Sequence, residues 1–302
     1  MCWCQEKQIM NKFFVFCAIL SAFFTSCVAL HVLPSKKVHR IEFDTISHNQ
    51  EHYFVYPDTT GDVFLRRLRT ENGLLEVIKN AKNDTERALM LLDWTHKQWE
   101  HNGNNTPSRS DAITILAEAR QGKKFRCVEY GTVLSSALLS VGMTARQLGL
   151  QTRDVEITKI AAGHVLAEVW LPDIGKWAMI DGQFNLMPTL HGVPLNAVEL
   201  QKAIVEKQPF QFVSLSGVAD AKMHKRYMNF IPHYLYFFNT SVDKRTKPKK
   251  WHIIEGKNAV MLVPKGAKPP TVFQRHSPMN HLYYTNSIKV FYAKPTVRSA
   301  SH

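Results

Sequence analysis

Between Asn83 and Asp181 the hydrophobic spacing of this chain changes period once, and that change limits what it can fold into. Between Asn83 and Gly142 apolar residues recur every three or four positions, the spacing of helices that bury one face. Between Ala145 and Asp181 they fall instead in short runs divided by turn residues, the pattern of strands. Helices followed by adjacent strands predict an α+β domain, with helices packed on an antiparallel sheet, rather than an alternating strand-helix chain.

The helical half carries its own punctuation. Asn83, with Glu86 three residues on, predicts a capped helix start, and Ala88, Leu91, Leu92, Thr95 and Trp99 share one face as far as the stop signal Asn102-Gly103. Ser108 with Asp111 predicts a second capped helix through Arg120. Cys127 sits at or just before the first turn of a third, whose buried face is Val133, Leu134, Ala137, Leu138 and Val141 and whose end is Gly142. Upstream, residues 41–57 read as one or two short strands and 62–82 as a helix broken at Asn72-Gly73. Downstream, 145–150 and 155–158 read as strands, and 164–171 pairs with 176–181 as a hairpin around Pro172 and Gly175. Beyond Leu195 one helix, 198–207, precedes aromatic strands at 233–238, 259–263 and 288–292. Four segments are expected: a signal peptide (1–27), a linker with N-terminal strands and helix (28–82), a core (83–194) and a mostly β C-terminal extension (195–302).

The N-terminal end reads as an address. Residues 13–26 form an apolar run of signal-peptide length behind Lys12, and Met10 is a second candidate start beside Met1. The run closes on Phe24-Thr25-Ser26-Cys27, which resembles the lipobox of bacterial lipoproteins, with Phe24 where leucine is usual. That resemblance implies a lipid on Cys27 and a body held in the bacterial cell envelope, outside the cytoplasmic membrane and at the outer membrane. The same residues allow two other readings: an uncleaved anchor helix over 13–33, or cleavage after a small residue.

A formal charge of +13 raises the question of a nucleic-acid partner. The basic residues form short scattered clusters, such as Lys36-Lys37, Arg66-Arg67 and Lys123-Lys124, without interleaved aromatics or a recognisable module, so none is expected. Anionic envelope polymers or lipid headgroups suit such a surface better. Of the five cysteines, Cys2, Cys4, Cys17 and Cys27 precede the folded body. A disulfide framework would be spread through the fold. The body therefore keeps a single thiol, Cys127.

A thiol attacks only as thiolate, and a helix N-terminus favours that form through its unpaired N–H groups. Arg126 adds positive charge. A neighbouring imidazole is still needed to take the proton, and hairpin geometry selects one among fourteen histidines. With Pro172 opposite Gly175, His164 falls opposite Gln183 and Asp181 opposite Leu166. His164 and Asp181 are then diagonal neighbours on one face, at the end away from the turn, whereas a slip by one residue would separate them. A carboxylate so placed fixes the imidazole tautomer and supports the imidazolium. Other chemistries lack their residues. His96 and His101 are five apart and misaligned for a shared metal, no phosphate-cradling glycine loop occurs, and Ser241-Val-Asp-Lys244 lacks the companion motifs of a serine-lysine enzyme. No cofactor or metal is expected.

Arg126-Cys127-Val-Glu-Tyr-Gly131 with Val141-Gly142-Met-Thr-Ala-Arg146 resembles the transglutaminase-like core around its catalytic cysteine. Gly163-His164-Val-Leu-Ala-Glu-Val-Trp170 and Trp177-Ala-Met-Ile-Asp181 resemble that family's histidine and aspartate strands, in the family's order, over roughly residues 83–190. The resemblance implies a papain-like fold and acyl transfer through a thioester, with Cys127 as nucleophile, His164 as base and then acid, and Asp181 as its support. It also implies an oxyanion site built on the Cys127 N–H, with Trp99 or Gln98 as candidates for a second donor. Water as acceptor makes a peptidase or amidase and an amine makes a cross-linker, so the substrate is a peptide, protein or peptidoglycan-like amide. The rival reading is a binding or scaffold lipoprotein that keeps the fold without turnover.

Overall fold

The computed structural model describes residues 33–47, 54–245 and 256–295; Met10, the apolar run 13–26 and Cys27 lie outside them. Helix α1 (Val63–Glu71) starts at Asp62, whose carboxylate accepts the Leu65 N–H, and Gly73 with φ of 59° turns the chain into α2 (Leu74–Ile78). α3 (Asp84–His96) is capped by Asn83. Glu86 reaches one residue further back than expected, accepting the Lys82 N–H at 2.8 Å. α3 also ends before Trp99. There the chain runs beside the segment leading to Cys127: Asn102 N–H donates to the Phe125 carbonyl at 2.8 Å, and the Trp99 ring packs on Tyr130 at 4.5 Å. Tertiary pairing overrides the local spacing at this point. α4 (Ala112–Arg120) is capped by Asp111 rather than Ser108, which turns its hydroxyl to Glu118. α5 (Cys127–Ser140) begins at the cysteine itself.

Strands β1 (Ala145–Gln151), β2 (Gly163–Leu171) and β3 (Lys176–Ile180) follow in antiparallel order. The stretch 155–158, expected as a strand, is a chain of tight turns, because Ile157 and Thr158 both donate to the Asp154 carbonyl. Next come β4 (Met187–Leu190), β5 (Val193–Pro194), α6 (Ala197–Val205), β6 (Phe210–Ser214), β7 (Gly217–Val218) and α7 (Ala221–Met228). A 3-10 turn at Pro232–Tyr234 precedes β8 (Phe237–Ser241), so only the end of the expected strand 233–238 is extended. β9 (Ala259–Leu262), β10 (Val272–Phe273), β11 (Ser277–Pro278) and β12 (Leu282–Thr285) lead to α8 (Ile288–Phe291). α8 was expected as strand, but Ser287 caps it as a helix and Phe291 is buried. Residues 41–47 and 54–57 form isolated bridges at Asp44 and Val55 rather than strands.

The main sheet has the order β12-β9-β8-β1-β2-β3, with only β12 and β9 parallel. Strands from both sides of position 195 thus share one sheet, β8 pairing with β1 at Gly149↔Asn239 and Leu150↔Phe238. α5 lies across β1 and β2 on one face, burying Leu134 and Leu138 with Ala167 and Val169. Leu148, Leu150 and Leu166 face the other way, into a cluster with Phe212, Phe238 and Phe291. A fully buried ion pair ties that second layer down. Arg146 binds Glu168 at 2.6 and 3.0 Å and donates to the Phe291 carbonyl at 2.8 Å, while Glu168 accepts the Tyr292 hydroxyl at 2.9 Å and the Ala197 N–H at 3.1 Å. Trp177 and Phe291 cover the guanidinium at 4.4 and 4.7 Å. Every polar atom of the pair that these contacts reach is satisfied, which a buried charge requires.

Candidate active site

The site begins with a glycine. A Cβ on Gly131 would lie 2.9 Å from Val165 Cγ1 and 3.1 Å from the Leu166 carbonyl, so glycine here lets α5 settle onto β2. One turn earlier, that approach brings Cys127 against the start of β2. Cys127 is the first residue of α5, so its N–H has no acceptor within the helix. It is partly exposed and free of disulfide. Arg126, expected to add charge beside the thiol, is held by Glu129 at 2.7 Å.

The hairpin has the expected register. Leu171 pairs with Lys176 and Ala167 with Ile180, across a Pro172–Gly175 turn in which Gly175 takes φ of 64°. The ladder then stops. Asp181 bridges Leu186 instead of Leu166, its N–H donating to the Leu186 carbonyl at 2.9 Å. The β3 end of the sheet peels away, leaving the start of β2 open on that side. The Val165 N–H and the His164 ring both bond the Cys127 sulfur there.

His164 Nε2 lies 2.7 Å from Asp181 Oδ2. Both residues are buried, His164 to 1% and Asp181 to 0% exposure. Asp181 is held from every side: Tyr227 Oη donates to Oδ2 at 2.8 Å, and the Gln183 and Phe184 N–H groups donate to Oδ1 at 3.0 and 3.4 Å. The Phe230 ring meets the imidazole edge to face at 4.9 Å.

This environment polarises the thiol and the ring together. For His164, burial opposes the charged form, but the Asp181 charge and its hydrogen bond, joined by Cys127, outweigh it and raise the ring to about 10. For Cys127, burial pushes the thiol up, yet the His164 hydrogen bond and charge and the Val165 N–H bring it below its usual value. The two shifts favour one state, thiolate beside imidazolium, as a nucleophile activated by a base requires.

The three residues singled out from the sequence are therefore brought together. Of the two further candidates, Gln98 is engaged elsewhere, its Nε2 donating to the Trp94 carbonyl at 2.8 Å; the Trp99 indole N–H is buried without an acceptor. Lys244 Nζ, in the Ser-x-x-Lys stretch, is bonded to the Thr240 hydroxyl and the Ser241 carbonyl. Sequence reasoning missed Tyr227, which arrives from α7, a helix announced only by its Asp220 cap. It also missed the cleft beside Cys127, about 350 Å³ in volume, whose far wall is Phe273, Pro278 and Met279. Nothing in those stretches marks them as neighbours of the thiol.

Residues 74–182 match the family model described as the transglutaminase-like superfamily. Among solved structures, the chain is similar to a candidate cysteine protease from Cytophaga hutchinsonii, with 15% identity over 44% of this chain and 46% of that one and a TM-score of 0.32. A candidate protease from Parabacteroides distasonis matches with 15% identity over 53% of this chain and 29% of that one, at a TM-score of 0.31. A TGase matches with 14% identity over 39% of this chain and 30% of that one, at a TM-score of 0.28. The matches thus span less than half of each of these three chains. No curated protein matches the chain. The transglutaminase-like superfamily model thus matches the stretch, residues 74–182, that holds Cys127, His164 and Asp181.

Proposed function

We propose that this protein is a cysteine-dependent enzyme that cleaves or transfers acyl groups at peptide or amide bonds. One observation carries the reading: Cys127 is bonded to His164, which is bonded at 2.7 Å to a fully buried Asp181. In this reading Cys127 Sγ attacks the carbonyl carbon, and the tetrahedral oxyanion is met by the Cys127 N–H. His164 gives its proton to the leaving amine, which departs and leaves a thioester on Cys127. Water or a second amine then gives up a proton to His164 and attacks the thioester, releasing the acid or the new amide and restoring the thiolate. Asp181 keeps Nε2 directed and supports the imidazolium throughout. The Trp99 indole N–H is the candidate for a second oxyanion donor. A scaffold that had lost turnover would have no need to keep four donors on one buried carboxylate beside a thiol.

The proposed setting is the bacterial envelope, with a lipid on Cys27 and the body outside the cytoplasmic membrane. Its support is the apolar run and the lipobox-like close, together with the basic charge of +13. No helix among the described residues is long and apolar enough to cross a membrane. Cys27→Ser should move the protein out of the membrane fraction or leave an unprocessed precursor. An unmodified mature N-terminus found elsewhere by mass spectrometry would rule the anchor out.

The catalytic reading is tested by Cys127→Ala against a panel of peptides, peptidoglycan amides and glutamine donors. Turnover by the wild type should vanish in the variant while its thermal unfolding stays within a few degrees. Retained turnover with any of these substrates would overturn the assignment.

A further inference from the structure

Leu33 is the first described residue, and its side chain is 61% exposed. Two residues on, the Ser35 N–H donates to Asp154 Oδ2 at 2.8 Å, which pins this stretch to the turns between β1 and β2. Those turns carry two more exposed apolar side chains, Ile157 at 55% and Ile160 at 50%. The Ile157 N–H donates to the Asp154 carbonyl at 3.0 Å, so it stands one turn from the same anchor. Isolated exposed aliphatics are ordinary. Three brought to one place form a patch that marks an interaction surface.

Cations frame the patch. Lys36, Lys37, Arg153 and Lys159 are exposed, and among the described residues none of the four forms an ion pair. His39 lies 3.3 Å from Arg153 and is held below its ordinary value by burial and then by Arg153 and Lys37, so these charges stand together. The two acids of the loop are engaged, Asp154 by Ser35 and Glu156 by the Thr271 N–H and hydroxyl at 2.8 and 3.0 Å. Aliphatic tips among unpaired cations fit the boundary of an anionic bilayer. There apolar side chains enter the acyl edge while Lys and Arg meet the headgroups.

The same loop supports the active-site cleft. The Gln274 N–H donates to the Val155 carbonyl at 2.9 Å, and its Oε1 accepts the Ala162 N–H at 2.9 Å. Phe273, the next residue back, lines the cleft beside Cys127. In the sequence Cys27 lies six residues before Leu33, at most about 20 Å of extended chain.

We propose that the patch of Leu33, Ile157 and Ile160, with its ring of cations, seats on anionic lipid headgroups and sets the Phe273 wall of the cleft beside the bilayer. The inference rests on the envelope reading for its membrane, and a lipid on Cys27 keeps the patch within reach of it.

The test places the full chain in vesicles of phosphatidylcholine, with or without phosphatidylglycerol, and photolyses a diazirine probe dissolved in the acyl region. Mass spectrometry compares the peptide carrying 157–160 with those carrying Val63 and Ile174, exposed apolar side chains on α1 and on the β2–β3 turn. With phosphatidylglycerol, labelling at 157–160 should exceed both controls by at least about fivefold, the scale of one basic side chain at an anionic surface. Lys36→Glu with Lys159→Glu, which leaves the isoleucines in place, should remove about that factor. Alkylation of Cys127 by iodoacetamide should be unchanged in this variant, as a check on its fold. Equal labelling at the three sites, or labelling indifferent to phosphatidylglycerol, overturns the surface. So does a dimer cross-linked through 157–160 without vesicles, which would give the face to a second copy. The mass of the N-terminal peptide separates the two levels. Labelling at 157–160 with an unlipidated Cys27 removes the anchor and leaves the surface standing, whereas a lipidated Cys27 without that labelling removes only the surface.

Discussion

The Tyr227 hydroxyl and His164 Nε2 meet on one atom, Asp181 Oδ2, at 2.8 and 2.7 Å. A residue from downstream of the matched stretch 74–182 thus completes the support of the imidazole. Tyr227→Phe should leave that buried oxygen one donor short, at a cost of about 1–3 kcal/mol in stability. Turnover should fall by roughly tenfold, because the Gln183 and Phe184 amides still hold the other oxygen. Urea unfolding and steady-state kinetics check both, and an unchanged rate would show that Tyr227 is packing alone.

Asp181→Asn should be far more damaging. The amide presents either the wrong atom to Nε2 or no charge to the imidazolium, and a loss of about 10³–10⁴ in rate is expected. Stability should change much less than rate. A variant that loses both equally would mark Asp181 as a structural residue.

The pH dependence has a definite sign. Since the Cys127 thiol lies below its usual value and His164 is raised to about 10, alkylation by iodoacetamide should already be fast near neutrality. It should change again only as the ring loses its proton near pH 10. The stability drawn from the charged ring is fully present below 6.5, the ring's ordinary value, and is lost as pH rises through about 10. In His164→Ala, burial acts on the thiol with less opposition, and the alkylation midpoint should move upward. A wild-type midpoint at the ordinary thiol value would remove the ion pair from the mechanism.

The Arg146–Glu168 pair predicts an asymmetry between single and double variants. Arg146→Met or Glu168→Leu alone strands a buried charge and should cost about 3–5 kcal/mol, whereas the two together should cost less than either. Denaturant midpoints of the three proteins decide it. Because Glu168 also holds Tyr292, the single variants should expose α8 to limited proteolysis.

Gly131→Ala should impair catalysis more than folding. The added methyl would meet Val165 at 2.9 Å and lift α5, and Cys127 with it, away from β2. Overpacking of this kind costs about 1–3 kcal/mol. Val165→Ala in the same chain should restore part of the rate. No recovery would place the damage at the Leu166 carbonyl.

What could be read in the sequence was local or repeated. The helix cap at Asn83 and the hairpin register from Pro172 and Gly175 to Ala167 and Ile180 follow from short-range rules. That register, carried one residue past Ile180, predicts His164 and Asp181 on one face. Most of the failures trace to contacts distant along the chain, while the stretch 155–158 fails through a local turn. Residues 288–292 have strand-like composition, but Ser287 caps them and the Arg146–Glu168 pair fixes Phe291 and Tyr292 inside. The alternating stretch 155–158 is overruled by the Asp154 carbonyl, and Trp99 is drawn out of its helix by Phe125 and Tyr130. Tyr227 carried no local signal because its partner is 46 residues away.

The pairing of β8 along β1 sets the smallest piece of this chain that can be usefully cut out. A fragment ending near residue 194 would keep Cys127, His164 and Asp181, yet it would expose the β1 edge, where Leu148 and Leu150 are wholly buried, to pairing with other copies. The same cut removes the Tyr227 hydroxyl and the Phe291 side of the cover over Arg146. The downstream region therefore serves two masters. Residues 273 and 277–279 line the cleft beside Cys127, so any change to that wall must also leave β8 seated and the β1 edge covered.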